Sequence, residues 1–409
     1  MIKTLNVFLH RDLVGQLLLD EGRMVFEYAE SWLKNTQAVP LSHSLPLKAE
    51  RFDRKICRGF FAGILPEESK RQMVAKNLGI SPTNDFAMIE QIGGECAGAV
   101  TFLPTSQALP EHDYHYRSLS DDELIKILES LPRQPLMAGE DGVRLSLAGA
   151  QDKIAVHVAN GKVSIPLGGA PSTHILKPAI ERFEGLVYNE AYCLKLAEIV
   201  GLPVAKAQTR TVGGIDYLLV ERYDRHIDAD GNVHRLHQED FCQALGVASE
   251  EKYQNEGGPN LKDCFALLRD ASSRPAIDIM RLLDAVIFNL LIGNHDAHGK
   301  NFSLLYQPGN TQLAPLYDLI STVYYPQLTK KMAMKIGKEA ESSKITLEHF
   351  ERLAQDAGLS TPIMKKCLPE LTEQVLANIG KVGIDHPVAH KLAELVGERC
   401  ALYLARFKS

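Results

Sequence analysis

An apolar run that stops abruptly at a polar octet constrains this chain more than any other feature. Residues 276–292 carry Ile277, Met280, Leu282, Leu283, Val286, Ile287, Leu290, Leu291 and Ile292, apolar almost all round. A helix with that pattern has no wet face and belongs inside a protein. Gly293 and Asn294 suit its C-terminal cap. The chain continues as Asn294-His295-Asp296-Ala297-His298-Gly299-Lys300-Asn301. Phe302 to Tyr306 then reads as a strand, Gln307-Pro308-Gly309-Asn310 as a turn, and Gln312 to Tyr317 as the returning strand. Such a hairpin brings Asp318 back beside Asn301, on loops held by a rigid core, where reacting groups are usually found.

An Asp, an Asn five positions on and a second Asp beyond a hairpin form the polar skeleton of a protein-kinase-like site. In that chemistry Asp296 accepts or orients the acceptor proton. Asn301 and Asp318 offer the hard oxygens that magnesium prefers. Two rivals exist. Asp296, His298 and Asn301 could merely cap the helix and fill a turn. A His-Asp metal phosphohydrolase would need further His ligands on other helices, and no hairpin is expected straight after its motif. The placement of Asp318 favours the kinase-like skeleton.

Upstream, Ala148-Gly149-Ala150-Gln151-Asp152-Lys153 supplies a loop rich in small residues between two strand-like runs, the second being Ile154 to Val158. Small residues let backbone N–H groups approach phosphate oxygens. The Gly-Lys-Ser/Thr ending of a Walker loop is missing, and by itself the stretch better suits an ordinary hairpin turn. Lys177 lies in the apolar run Thr173 to Pro178, and a buried ammonium requires a partner. Nucleotide phosphates qualify. So does Glu190, expected to open the next helix, where it could instead favour the helix N-terminus. Ile215 to Asp224 reads as a strand running into a polar segment, with adenine recognition expected at backbone groups around Glu221, Arg222 and Tyr223.

Taken in order, the stretches 146–153, 173–178, 189–193 (Asn-Glu-Ala-Tyr-Cys), 220–225 (Val-Glu-Arg-Tyr-Asp-Arg), 237–243 (His-Gln-Glu-Asp-Phe-Cys-Gln), 293–303 and 317–321 resemble the HipA family of serine/threonine kinases. These act as toxins of bacterial toxin–antitoxin pairs. Stretches 61–66 and 92–100 are similar to that family's leading domain, so the likeness spans nearly the whole chain. The resemblance implies an autophosphorylated serine at Ser146 and Lys177 on the ATP phosphates. It implies Asp296 as catalytic Asp, Glu221 and Tyr223 at the hinge, and His298, Lys300, Asn301, Tyr317 and Asp318 around ATP and Mg2+. It further implies a HipB-like helix-turn-helix antitoxin dimer, operator DNA bound through that dimer, and an aminoacyl-tRNA synthetase as protein substrate, glutamyl-tRNA synthetase in the best-known case. Some features depart from eukaryotic kinases. His295 directly precedes the Asp, Leu319-Ile320 follows the second Asp, and no Ala-Pro-Glu comes in the next forty or so residues. Regulation through Ser146 is the expectation, since a dianionic phosphate there would drag the loop away from ATP.

The chain has 409 residues, 45% of them hydrophobic, enough for two or three domains with ample cores. No run reaches transmembrane length, and Met1 to Val7 reads as a strand start rather than a signal peptide. Seven scattered cysteines without a Cys-x-x-Cys pair point to a reducing cytoplasm and no zinc site. A net charge of −6 argues against strong unaided nucleic-acid binding. Lys330, Lys331, Lys335 and Lys338 form a local basic cluster, expected to be a solvated strand or loop face, with contact to DNA or an acidic substrate as the alternative.

A strand-rich half followed by a helical half suggests an α+β protein-kinase-like two-lobed fold with an additional N-terminal β-rich subdomain. The expected division is 1–105 for that subdomain, 118–225 for the small lobe and 226–409 for a helical large lobe, with a polar linker over 105–117. A hairpin is expected around Asp20-Glu21-Gly22-Arg23 and a helix over 70–78. Trp32 is expected as a core or interface anchor. A capping box, Ser120 with Glu123, should open another helix, and a last helix should run from Pro387 to Phe407. Two other functions compete: a small-molecule phosphotransferase, which would lack the N-terminal domain and the Ser146 loop, and a kinase-shaped corepressor whose task needs no catalysis.

Overall fold

The computed structural model describes residues 2–109 and 114–407, so the expected linker around Pro110 falls partly outside the described residues. The chain divides into two compact units, each assembled from three separate stretches. The first comprises Met1–Pro178, Arg210–Ser249 and Leu305–Pro308; the second comprises Ala179–Thr209, Glu250–Leu304 and Gly309–Ser409.

The first unit begins with strands β1 (Lys3–Leu9), β2 (Asp12–Asp20), β3 (Arg23–Tyr28) and β4 (Val100–Pro104), ordered β3-β2-β1-β4 and antiparallel. The expected hairpin is there: Asp20 pairs with Arg23, and Glu21 and Gly22 take φ of 47° and 76° to turn the chain. Alternating side chains bury Leu5, Val7, Phe26 and Tyr28 against Phe52 and Phe61, with Phe26 and Phe61 ring centroids 5.3 Å apart. Each such aromatic contributes roughly 1.5–3 kcal/mol by leaving water. Trp32 is buried and donates from Nε1 to the Val39 carbonyl at 3.1 Å.

A second sheet, all of it in this unit except the first three residues of β9, holds β5 (His115–Ser118), β6 (Ile154–Ala159), β7 (Lys162–Leu167), β8 (His174–Pro178), β9 (Ala207–Val212) and β10 (Ile215–Glu221) in the order β5-β7-β6-β8-β10-β9. The run expected ahead of the small-residue loop is not a strand; Leu145 makes a single parallel bridge to Glu95. Helix Asp121–Ser130 opens with the expected capping box, Ser120 and Glu123 satisfying each other's backbone N–H.

In the second unit, helix Pro275–Ile292 is largely buried from Leu282 onward, packed among Leu261–Ala271, Thr361–Asn378 and Pro387–Phe407, while Ile277 in its first turn is exposed, against the expectation of a helix with no wet face. Its last carbonyls would otherwise be orphaned. Arg399 donates to them, from Nη2 to Leu290 O at 2.7 Å and from Nε to Leu291 O at 3.1 Å. Gly293 ends the helix at φ 71°, and a Cβ there would lie 2.4 Å from a Val323 methyl, so glycine is required on both counts. The returning arm of the following hairpin is shorter than expected, Asn310–Leu313. Helix Leu186–Ile199 starts a turn earlier than expected, which puts Glu190 in its second turn, buried, rather than at its opening. The lysine cluster lies on and around strand Lys331–Ile336, where Ala333, Met334 and Ile336 face inward and Lys331 and Lys335 outward. No helix among the described residues is long and apolar enough to cross a membrane.

Candidate active site

The loop after Gly293 is fastened at every step. Asn294 donates from Nδ2 to Asn289 Oδ1 at 2.9 Å, and its own Oδ1 accepts from the Asp296 N–H at 3.1 Å. His295 is buried: its N–H donates to Thr322 Oγ1 at 2.8 Å, Nε2 meets Ser342 Oγ at 2.8 Å, and Nδ1 meets the Thr329 carbonyl at 3.1 Å. Burial lowers its pKa, so the ring serves as a neutral strut. His298 N–H donates to Asp296 O at 2.8 Å and Asn301 N–H to His298 O at 3.0 Å, coiling 299–301 into a 3₁₀ turn.

On this frame Asp296 is exposed while His298 and Lys300 are buried. The Tyr253 hydroxyl donates to Asp296 Oδ1 at 2.8 Å, and the Tyr253 ring meets His298 edge-on with centroids 5.2 Å apart. Tyr253 had no place in the reading of the sequence. Its one signal there is an aromatic residue set before the sharp Gly257-Gly258 bend. Asn301 presents a buried Oδ1 with no hydrogen-bond partner. A buried amide oxygen left so costs on the order of 1–3 kcal/mol unless something binds it, and a hard cation is the chemistry it fits.

Tyr317 locks the return arm to the loop: its hydroxyl donates to Lys300 O at 2.7 Å and accepts from Ser303 Oγ at 2.7 Å. Asp318 follows at φ 51°, a left-handed conformation that non-glycine residues avoid. Strain of this kind persists where surroundings over-determine it, and it clusters at functional sites. Asn189 fixes the next turn, accepting from Ser321 N–H at 2.8 Å and donating to Ser321 O at 3.1 Å. Asp296, His298, Lys300, Asn301, Tyr317 and Asp318 thus all belong to the second unit.

The other predicted residues lie in the first unit. Gly149 adopts φ 106°, its carbonyl accepts from Glu67 N–H at 3.2 Å, and Lys153 Nζ closes the loop on Ala148 O at 2.7 Å. Asp152 is buried and paired with Lys70 at 2.5 Å, so its carboxylate anchors the loop. Ser146 is fully buried; its hydroxyl donates to Ile64 O at 3.0 Å and its N–H to Glu95 O at 2.9 Å. Lys177 is buried on β8, opposite Leu218 of β10. Glu221 ends β10 exposed, and the Tyr223 hydroxyl donates to Gln238.

Arg222 needs a correction as a nucleotide contact. Its guanidinium is buried and committed to Asp224 at 2.8 Å, Glu95 at 3.2 Å and Ser172 Oγ at 2.8 Å. Its N–H donates to Thr173 O and its carbonyl accepts from Arg225 N–H. Arg225 and Arg235 also pair with Glu95, at 2.8 and 2.6 Å. Burial alone would raise the Glu95 pKa; Arg225, Arg235 and Arg222 together hold it down at about 2. Asp224 is likewise held well below the usual carboxylate range, its burial outweighed by Arg222 and Arg225. This is a fully ionised structural knot.

Residues 145–379 match the HipA-like C-terminal domain family and residues 5–103 the HipA N-terminal domain family. The chain is 48% identical over 386 residues to a Sinorhizobium fredii protein named as a kinase, covering 93% of this chain and 92% of that one. It is 30% identical to the serine/threonine-protein kinase toxin HipA of Shewanella oneidensis, covering 98% and 96%. Among solved structures, the Shewanella oneidensis toxin–antitoxin complex of HipA, HipB and operator DNA matches with a TM-score of 0.88 at 28% identity, over 99% of this chain and 98% of that chain.

Proposed function

The chain belongs to the HipA family of serine/threonine kinase toxins, and from that premise we propose that it transfers the γ-phosphoryl group of ATP to serine or threonine hydroxyls of a protein. The observation that carries this most directly is the unpartnered, buried Asn301 Oδ1, in the same unit as the exposed Asp296 and the strained Asp318. Asn301 and Asp318 would hold Mg2+, whose contribution is to neutralise phosphate charge. Asp296 takes or orients the acceptor proton. The Gly149 loop and Lys177 hold phosphate oxygens, and the backbone at Glu221 and Tyr223 holds adenine. His298, Lys300 and Tyr317 keep the loop in shape, so catalysis is mainly positioning and charge stabilisation.

By family likeness, the substrate is an aminoacyl-tRNA synthetase, glutamyl-tRNA synthetase first among them, and its phosphorylation halts translation in the cytoplasm. The partner is a HipB-like helix-turn-helix dimer, through which the kinase joins operator DNA and corepresses its operon. Division into 1–105, 118–225 and 226–409 accompanies the proposal. Autophosphorylation at Ser146 silences the enzyme: a dianion has no room where the hydroxyl is now fully buried, so the modified loop has to leave its place. Ser146→Asp is expected to lose most ATP affinity and activity, measured by nucleotide binding and label transfer; full retention of both overturns the regulatory role.

Purified protein with γ-32P-ATP and Mg2+, beside Asp296→Ala, tests the central claim. Transfer to casein or to the chain itself should fall about 10²–10⁴-fold in the variant. Equal labelling by the two proteins, or none by the wild type, sinks the claim. Phosphoproteomics after induced expression identifies the target.

A further inference from the structure

The geometry points to Tyr253 as the positioning residue of the catalytic carboxylate: its hydroxyl fixes one oxygen of Asp296 and thereby aims the group at the acceptor. The inference rests on the kinase function proposed above. Tyr253 donates to Asp296 Oδ1 at 2.8 Å, although the two are 43 positions apart in the chain. A general base works only from a narrow range of orientations, and a hydroxyl that is itself held in place restricts the carboxylate oxygen it bonds.

Tyr253 can serve because it is itself held on several sides. Its ring meets the buried His298 at 80°, and Lys252 Nζ, on a buried side chain, lies 5.4 Å from the ring centroid. Its carbonyl accepts from the N–H groups of both Glu256 and Gly258 at 2.9 Å. At Gly258 a Cβ would sit 2.2 Å from Glu251 O, so only glycine permits this bend. The next side chain ties the turn down further, Gln254 Oε1 accepting from Lys335 N–H at 2.7 Å. A hydroxyl set this firmly suits a fixed strut better than a plug that the acceptor must push aside.

Tyr253→Phe keeps the ring and removes only the hydroxyl. With γ-32P-ATP, and casein or the chain itself as acceptor, kcat should fall about tenfold. KM for ATP should stay within about twofold and the melting temperature should not move. Adding Tyr253→Phe to Asp296→Asn should cost nothing further, because the group being aimed has already lost its function. A structural role would instead lower both backgrounds alike. Gln254→Ala loosens the turn while keeping the hydroxyl, so a fall of about threefold in kcat is expected, and that variant decides if Tyr253→Phe melts early. An unchanged or faster rate in the deciding variant, or a further loss on top of Asp296→Asn, overturns the inference; a faster rate would make the hydroxyl a competitor of the acceptor. If wild type labels and Asp296→Ala does not, while Tyr253→Phe matches wild type, only this inference fails. If wild type transfers no phosphate at all, both fall.

Discussion

Two polar motifs, Val-Glu-Arg-Tyr-Asp-Arg at 220–225 and Asn-His-Asp-Ala-His-Gly-Lys-Asn at 294–301, were both expected near a nucleotide, yet their charged groups are placed in opposite ways. In the first unit Arg222 and Arg225 are buried and pair with Asp224 and Glu95, so these four charges meet one another inside the protein. In the second, Asp296 stays exposed on a clamped loop and Asn301 keeps a buried oxygen unanswered. Mutual pairing of opposite charges makes a structural knot, even though Arg225 Nε is left without a hydrogen-bond partner; an unpartnered amide oxygen with no ion pair beside it fits a ligand from outside.

Exchanging readouts breaks or sharpens this contrast. The largest effect is expected at Asp296→Ala, which should abolish nearly all phosphate transfer while leaving the melting temperature as it is. Glu95→Ala is the converse: three arginines lose their shared carboxylate in a buried place, and denaturant titration should show a loss of roughly 3–5 kcal/mol. An Asp296 variant that unfolds, or a Glu95 variant as stable as wild type, would erase the distinction.

Glu239 gives an intermediate case. It is buried, accepting from Ser42 Oγ at 2.5 Å, His43 N–H at 2.9 Å and the Tyr306 hydroxyl, none of them a cation. Burial outweighs those bonds and raises its pKa from 4.5 to about 7. Folding therefore favours the protonated form. The stability this contributes is whole below pH 4.5 and fades as pH rises through 7. Glu239→Gln should flatten the dependence of stability on pH between 5 and 8, by up to about 2–3 kcal/mol, read from melts across that range. Smallest is Gly293→Ala, which strains a left-handed cap and crowds Val323; a loss of about 1–2 kcal/mol is expected, visible in the same melts.

Much of the second unit was legible in sequence because its signals are local. The all-apolar helix, its Gly293 stop and the hairpin that returns to Asp318 each lie within a few turns of one another. The capping box at Ser120 and the turn at Glu21-Gly22 were readable for the same reason. What stayed hidden depends on distant partners. Nothing near Arg222 says that Glu95, 127 positions earlier, will claim its guanidinium. Nothing near Tyr253 announces Asp296. The start of helix Leu186–Ile199 was missed because Gly185, at φ 68°, caps it without any side-chain signal.

The interleaving of the two units has a practical outcome. Their six stretches alternate along the chain, so the backbone passes from one to the other five times. Cutting the chain short anywhere before Pro308 leaves both incomplete, and the four residues Leu305–Pro308 belong to one while their flanks belong to the other. A nascent chain on the ribosome can therefore complete the first unit only after Pro308 has been added, and the second unit, which carries Asp318, later still.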